Sequence, residues 1–145
     1  MCNRRGTAPV VKGDDMLTTG SKVWGKAIKI QDNGLSKTSV LHVERGGTCS
    51  WHYHKHRYNT FYVVSGEVII RWSPSHIAND KKYEIYLKPG CDLTIAPGDA
   101  HEFMAVVDSV MVEIDCAGNR IGDIVRLRPG FKAKRVKNVR LGRKP

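Results

Sequence analysis

The chain of 145 residues has no apolar run long enough to span a membrane, and no apolar segment follows Arg4 and Arg5, so neither an anchor nor a secretory signal is expected. It lacks CxxC spacing. Its four cysteines (Cys2, Cys49, Cys91 and Cys116) are scattered; an even count permits disulfides, but reduced thiols in a cytoplasmic protein are the reading adopted. Apolar residues at helical period are nearly absent, which excludes a helical bundle and confines helix to a turn or so near the ends. What remains is an ordinary globular composition, long enough for one domain with its own core and no need of disulfide staples.

Acidic residues are missing from one region. From Arg126 to Pro145 there are nine Lys and Arg and no Asp or Glu, while the body before it is close to neutral, so the net charge of +10 belongs to a tail. A basic tail can hold nucleic acid through its phosphates. It can equally be a solvated end, and with no aromatic residue but Phe131 among the bases, platforms for stacking single strands are lacking; nucleic acid is not the favoured partner.

Residues 1–20 are polar and turn-forming and predict a mobile arm, followed by a folded domain over 21–128 and the basic tail over 129–145. Lys22 to Ile30 reads as a first strand, Asn33-Gly34 as a hairpin turn, and Lys37 to Glu44 as the return strand. Thr60 to Trp72 is the longest strand candidate, broken at Ser65-Gly66, where one sheet hands over to another. A polar loop over 73–82 leads to short strands at Tyr83–Leu87 and Asp92–Ile95. His101–Val107 and Val110–Asp115 then predict a hairpin across Asp108-Ser109. Short strands with Gly and Pro punctuation indicate an all-β sandwich or barrel.

The chemistry concentrates in Gly46 to Gly66, where His52, His54 and His56 fall at alternate positions. On a strand, His52 and His54 share a face and place two imidazoles side by side, half of a metal site. Pro97-Gly98-Asp99-Ala100-His101 delivers another histidine at the start of a later strand. Three neutral imidazoles suit Zn, Mn, Fe, Ni, Co or Cu and leave positions open for water or substrate; otherwise they line a polar mouth. Five residues separate His54 from Asn59, which reverses strand parity, so both face one point only if Lys55 to Tyr58 contains a loop or bulge. His56 shares the parity of His54 and substitutes as a ligand if that segment is regular; if the chain turns there, it lies at the surface. Glu113, within the apolar run Val110–Ile114, is a candidate base if it faces the barrel, where desolvation would raise its pKa, or it points to solvent. The aromatic residues Trp24, Trp51, Tyr53, Phe61, Tyr62, Trp72 and Phe103 read as core or rim packing.

Gly46, five residues, His52-x-His54, four residues, Asn59, six residues and Gly66 resembles the first motif of the cupins, with Asn59 where that motif has Glu. Gly90 through Pro97-Gly98-x-x-His101 resembles the second. Within the cupins, Lys22-Val23-Trp24-Gly25, His54-Lys55-His56-Arg57, Phe61 to Gly66, Val112 to Asp115 and Gly122 to Arg126 together look like mannose-6-phosphate isomerase of the cupin type, over roughly residues 22–128. The departures are Asn59 for Glu, and Ile121-Gly122 in place of an acidic pair before Asp123.

The resemblance implies an all-β fold, the cupin double-stranded β-helix (jelly-roll) barrel, and one divalent transition metal held by His52, His54, His101 and Asn59. Asn59 either ligates through its amide oxygen, which leaves the metal its full charge and favours anionic substrates, or hydrogen-bonds a metal-bound water. The resemblance also implies Arg57 and Arg126 on the sugar-phosphate side, each of which could instead be a surface ion pair. A lone barrel of this kind leaves an exposed sheet face, so a homodimer is expected. The function implied is aldose–ketose isomerisation of a small sugar-phosphate-like, anionic substrate, with a carboxylate or histidine as base, for which Glu113 and His56 are the candidates. The alternatives are a three-histidine, iron-dependent dioxygenase and a non-catalytic module that binds carbohydrate or small anions.

Overall fold

The structure, a computed structural model, describes residues 18–76, 82–116 and 123–136. The expected arm up to residue 17 and the tail beyond residue 136 lie outside the described residues, as do Cys2 and the Ile121-Gly122 pair. Among the described residues thirteen strands follow one another: β1 (Thr18–Lys22), β2 (Gly25–Asp32), β3 (Ser36–Val43), β4 (Gly47–Thr48), β5 (Trp51–His54), β6 (Tyr58–Ser65), β7 (Val68–Ser73), β8 (Tyr83–Leu87), β9 (Asp92–Ile95), β10 (Ala100–Ala105), β11 (Ser109–Cys116), β12 (Ile124–Arg128) and β13 (Phe131–Lys132). Among the described residues no helix is long and apolar enough to cross a membrane. Cys49, Cys91 and Cys116 are free thiols.

The strands form two antiparallel sheets. One runs β1-β2-β3-β11-β6-β9; the other runs β12-β5-β10-β4-β13, with β7 paired to β10 and to β8. The alternation of side chains explains why the sheets face each other. On β6, Asn59, Phe61 and Val63 are buried while Tyr58, Tyr62 and Val64 are exposed. On β3, Ser39, Leu41 and Val43 are buried. Their apolar members join Val68, Ile70, Phe103, Ala105 and Met111 in one core, with Trp24 set edge-on to Phe103 at 5.1 Å. The middle strand β10 is buried on both faces, because Met104 also packs outward with Ile69 and Val106, and against Tyr86 and Val136.

The structure differs from the sequence reading at several points. The strand expected over Lys22–Ile30 is two, β1 and β2, joined by a turn at Val23-Trp24. The turn lets Val23 stand in solvent while Trp24 drops into the core, and Gly25 (φ 144°) passes so close to the His42 carbonyl that a Cβ would lie 2.0 Å from its oxygen. Thr18–Gly20, expected in the arm, therefore open β1, and Phe131–Lys132, expected in the tail, pair with β4.

The predicted hairpin of His101–Val107 with Val110–Asp115 does not form: β10 and β11 lie in different sheets. The connection is nailed to another corner instead. Asp108 accepts a hydrogen bond from the Arg45 N–H at 2.7 Å, and the Ser109 hydroxyl accepts one from the Glu67 N–H at 3.1 Å. The other sheet switch falls at Ser65-Gly66 as expected, between β6 and β7, and the Asn33-Gly34 turn joins β2 to β3.

Gly66 has φ 85°, and a Cβ there would lie 2.2 Å from the Ser109 hydroxyl oxygen and 2.7 Å from the Asp108 carbonyl oxygen. Gly34 has a similar φ of 83° but open space around it. Gly66→Ala is therefore expected to lower stability by at least ~2 kcal/mol, and Gly34→Ala by only ~1 kcal/mol. Urea midpoints of the two variants measure the difference, and equal midpoints would mean that the Gly66–Ser109 corner gives way without cost.

Candidate metal centre

β5 presents His52 and His54 on one face, and antiparallel pairing sets His101 of β10 directly across from His52. Ring centroids are 5.1 Å apart for His52–His54, 4.5 Å for His52–His101 and 5.7 Å for His54–His101. One nitrogen from each ring lies within 4.8 Å of the others, and all three side chains are buried. The parity change after His54 is absorbed as expected: β5 ends at His54, residues 55–57 bend, and β6 restarts at Tyr58. His56 is thereby left exposed at the surface, while Asn59 is fully buried in the opposite sheet.

The donors around the rings decide what they can hold. His52 Nδ1 lies 2.7 Å from the Ser50 carbonyl and His101 Nδ1 lies 3.1 Å from that of Asp99, so each ring donates there and keeps its Nε2 lone pair. His101 Nε2 then faces the Asn59 carbonyl oxygen at 3.1 Å. That oxygen is fixed in place because the Asn59 amide nitrogen donates to Asp115 at 2.6 Å and to Glu113 at 3.1 Å. Either tautomer of His101 leaves two acceptors in contact, at Asn59 or at Asp99, and a cation bound to Nε2 removes the conflict. His54 adds a second indication. It is buried with neither ring nitrogen hydrogen-bonded, and its Nδ1 lies 3.6 Å from Asp123. Unsatisfied buried nitrogens of this kind are costly unless they ligate.

Burial keeps the rings neutral, as ligands must be. Desolvation, and then the neighbouring His54, lowers the His52 pKa to about 4. His54 is lowered by burial and by the Arg57 charge, and His101 is held well below its ordinary value by burial and His52. The three rings and the Asn59 carbonyl thus form a neutral nitrogen–oxygen donor set that fits a divalent transition metal.

Around this floor lies an unforeseen network. The Arg57 guanidinium donates through Nε to Asp123 at 2.9 Å and through Nη1 to Asp115 at 3.1 Å, and Lys37 lies 3.2 Å from Asp115. Burial would raise the Asp123 carboxyl, but the hydrogen bonds from Arg57 and from the His56 N–H hold it below its ordinary value. Arg57, expected on the sugar-phosphate side, thus has both edges committed to carboxylates. Asp115 and Asp123 were not among the expected site residues, although Asp115 shares the strand parity of Glu113.

Glu113 points into the barrel. Burial, and then the charge of Asp115, pushes its pKa up to about 7. It lines a cavity of about 560 Å³ together with His52, His54, Asp115 and Arg126. Arg126, exposed on β12, pairs in register with His52.

The chain matches no protein-family model and no curated protein. Solved structures do match. CapF, a capsular polysaccharide assembling protein from Staphylococcus aureus, is 24% identical over 77% of this chain and 34% of its own length, with TM-score 0.65. The Streptomyces nucleoside dehydratase Pac13, bound to uridine, is 16% identical over 85% of this chain and 93% of its own, with TM-score 0.69. Oxalate decarboxylase from Bacillus subtilis is 12% identical over 78% of this chain and 30% of its own, with TM-score 0.67. The chain spans about a third of the length of CapF. All three are cupin-fold proteins, and this chain has the same all-β jelly-roll barrel.

The depressed histidines have a thermodynamic consequence. The unfolded chain binds protons near pH 6.5 that the folded chain refuses until about pH 4 at His52, so the stability of metal-free protein falls as pH drops through that window. Glu113 acts in the opposite sense, holding a proton in the folded state between about pH 4.5 and 7. Denaturant titrations of EDTA-treated protein from pH 7 to 4 are expected to show a net loss, and Glu113→Gln to steepen it. A stability of Glu113→Gln that stays flat over this range would show that the rings protonate freely in the folded state.

Proposed function

We propose that the chain is a metal-dependent enzyme that shifts a proton between adjacent carbons of a small, anionic, sugar-phosphate-like substrate, an aldose–ketose isomerase. The observation that carries this reading is the position of Glu113. Its carboxylate shares a cavity with His52 and His54 and touches Asn59, which touches His101. A carboxyl whose pKa lies near 7 can both take and return a proton at neutral pH. Arg126 and the lysines along the cavity wall favour an anionic ligand. The fold neighbours include proteins of polysaccharide assembly and nucleoside dehydration, which agrees with a sugar-bearing substrate.

A divalent ion such as Zn, Mn, Fe, Ni or Co, held by His52, His54, His101 and Asn59, would polarise the substrate carbonyl. Glu113 keeps Oε1 on the Asn59 amide, leaving Oε2 to take the proton from C2 and return it to C1 while a proton passes from O2 to O1. The Glu113–Asn59 bond ties the base to the donor set, so the carbon to be deprotonated and the carbonyl to be polarised are addressed from one fixed point. Arg57 orders Asp115 and Asp123 and, through them, Asn59 and His54. We propose for it a positioning role.

Glu113→Gln keeps an acceptor for Asn59 and removes the base. Its kcat for mannose 6-phosphate isomerisation is expected to fall about 10²- to 10⁴-fold, with metal content per chain unchanged. Turnover at the wild-type level in this variant would remove the assignment. The neutral donor set also suits an iron-dependent oxygenase, so the assay is run with and without oxygen. An activity that needs oxygen, on protein carrying one Fe per chain, would give the site to that chemistry.

A further inference from the structure

Five cations line the cavity: Lys22, Lys29, Lys37, Arg57 and Arg126. Two are spent within the protein, Arg57 on Asp115 and Asp123, and Lys37 on Asp115. Lys29 is 3.8 Å from Asp32 and 42% exposed, a loose surface pair, and Lys22 has no carboxylate at ion-pair distance among the described residues.

Lys22 and Lys29 both sit on the β1–β2 hairpin. In its register Lys22 pairs with Gly25, Gly20 with Ala27, and Lys29 with Thr18. Gly20, Lys22, Ala27 and Lys29 all border the cavity, so this is the hairpin's inward face, and between the two lysines it carries only a hydrogen and a methyl. The result is a hollow flanked by a lysine at each end. The Lys22 stem folds back over it: its Cε lies 3.8 Å from where a Gly20 Cβ would stand. Gly20 has no left-handed backbone that would require glycine, so its missing side chain serves to leave space. An anion lodged in the hollow would draw both side chains, Lys29 giving up only a loose surface pair with Asp32.

We infer that this hollow is an anion subsite for a terminal phosphate monoester, bound by Lys22 and Lys29. The inference rests on the sugar-phosphate reading of the site and fixes which end of the ligand goes where. Lys29, Ser39 and Glu113 form one cross-strand row, so Lys29 stands two strand spacings, about 10 Å, from the base. A ligand reaching both is extended, with its phosphate at the end remote from the carbons that exchange the proton. A hexose 6-phosphate has that form, and a hexose 1-phosphate does not.

The test is calorimetric binding of mannose 6-phosphate, mannose and inorganic phosphate to the EDTA-treated full chain. It is repeated on Lys22→Ala, Lys29→Ala, Gly20→Val, which fills the hollow with both charges kept, and Lys26→Ala, an exposed lysine of the same hairpin that does not border the cavity. Mannose 6-phosphate is expected to bind at least about tenfold more tightly than mannose, and each of the first three variants to weaken it about tenfold while Lys26→Ala does not. Far-UV circular dichroism melts confirm that each variant is folded. No preference for the phosphorylated sugar in the wild type, or undiminished affinity in Lys22→Ala and Lys29→Ala, overturns the subsite. The two readings fail separately. Phosphate binding that depends on these residues, without turnover, keeps the subsite and removes the isomerase. Turnover whose KM is unmoved in the lysine variants keeps the isomerase and removes the subsite.

Discussion

The amide of Asn59 is the joint on which the site depends. It stands on β6 in one sheet and touches His101 on β10 in the other, so one small side chain links the two walls of the barrel at the depth of the histidines. Both of its amide hydrogens are taken by carboxylates of β11, which leaves no freedom to flip and aims the carbonyl oxygen at His101. A carboxylate at this position would face Glu113 and Asp115, three negative groups in a buried space, and at least one would have to hold a proton. Asparagine, one methylene shorter than glutamate, supplies donors where β11 offers acceptors and keeps an oxygen facing His101.

From this joint outward, charge is arranged in layers. The three histidines and Asn59 are neutral; behind them lie Asp115 and Asp123; behind those, Arg57 and Lys37. Ion pairs buried in this way stabilise little on their own, since desolvation offsets much of the attraction, but losing one partner leaves an uncompensated charge and costs ~3–5 kcal/mol. The network is therefore better understood as fixing geometry than as holding the fold together, which the apolar core around Phe61, Met111 and Phe103 does. It also explains why an arginine next to the histidine segment is not available to a ligand.

Much of this was legible in the sequence, because strand parity and glycine spacing are local. His52 and His54 had to share a face, the chain had to bend before Asn59, and Gly66 had to turn a corner, whatever the rest of the fold did. The missed features are non-local. Nothing near Asp108-Ser109 says that these residues will bond Arg45 and Glu67 rather than close a hairpin, and the cost of leaving those groups unpaired is set by the folded corner alone. Likewise, the partners of Arg57 are 58 and 66 residues away. The split of the first strand could have been suspected at Trp24-Gly25, but the reason for it, the His42 carbonyl against Gly25, comes from β3.

The barrel itself leaves the chemistry open. CapF, Pac13 and oxalate decarboxylase share it at 12–24% identity while bearing different names for what they do, so only the site can argue a function. Here the argument turns on the position of the negative charge. In a donor set with a carboxylate, one unit of the metal's charge is cancelled by its own ligand. In this chain the candidate ligands are neutral, and of the carboxylates around them Glu113 lines the cavity with its pKa pushed up to about 7. A dication held beside it would favour its ionised form, linking metal binding to loss of the Glu113 proton, and under the proposed function the balancing charge would be one able to accept a proton from a substrate. Under the proposed function, asparagine at position 59 would leave the basic group on the wall of the cavity, where a substrate could reach it.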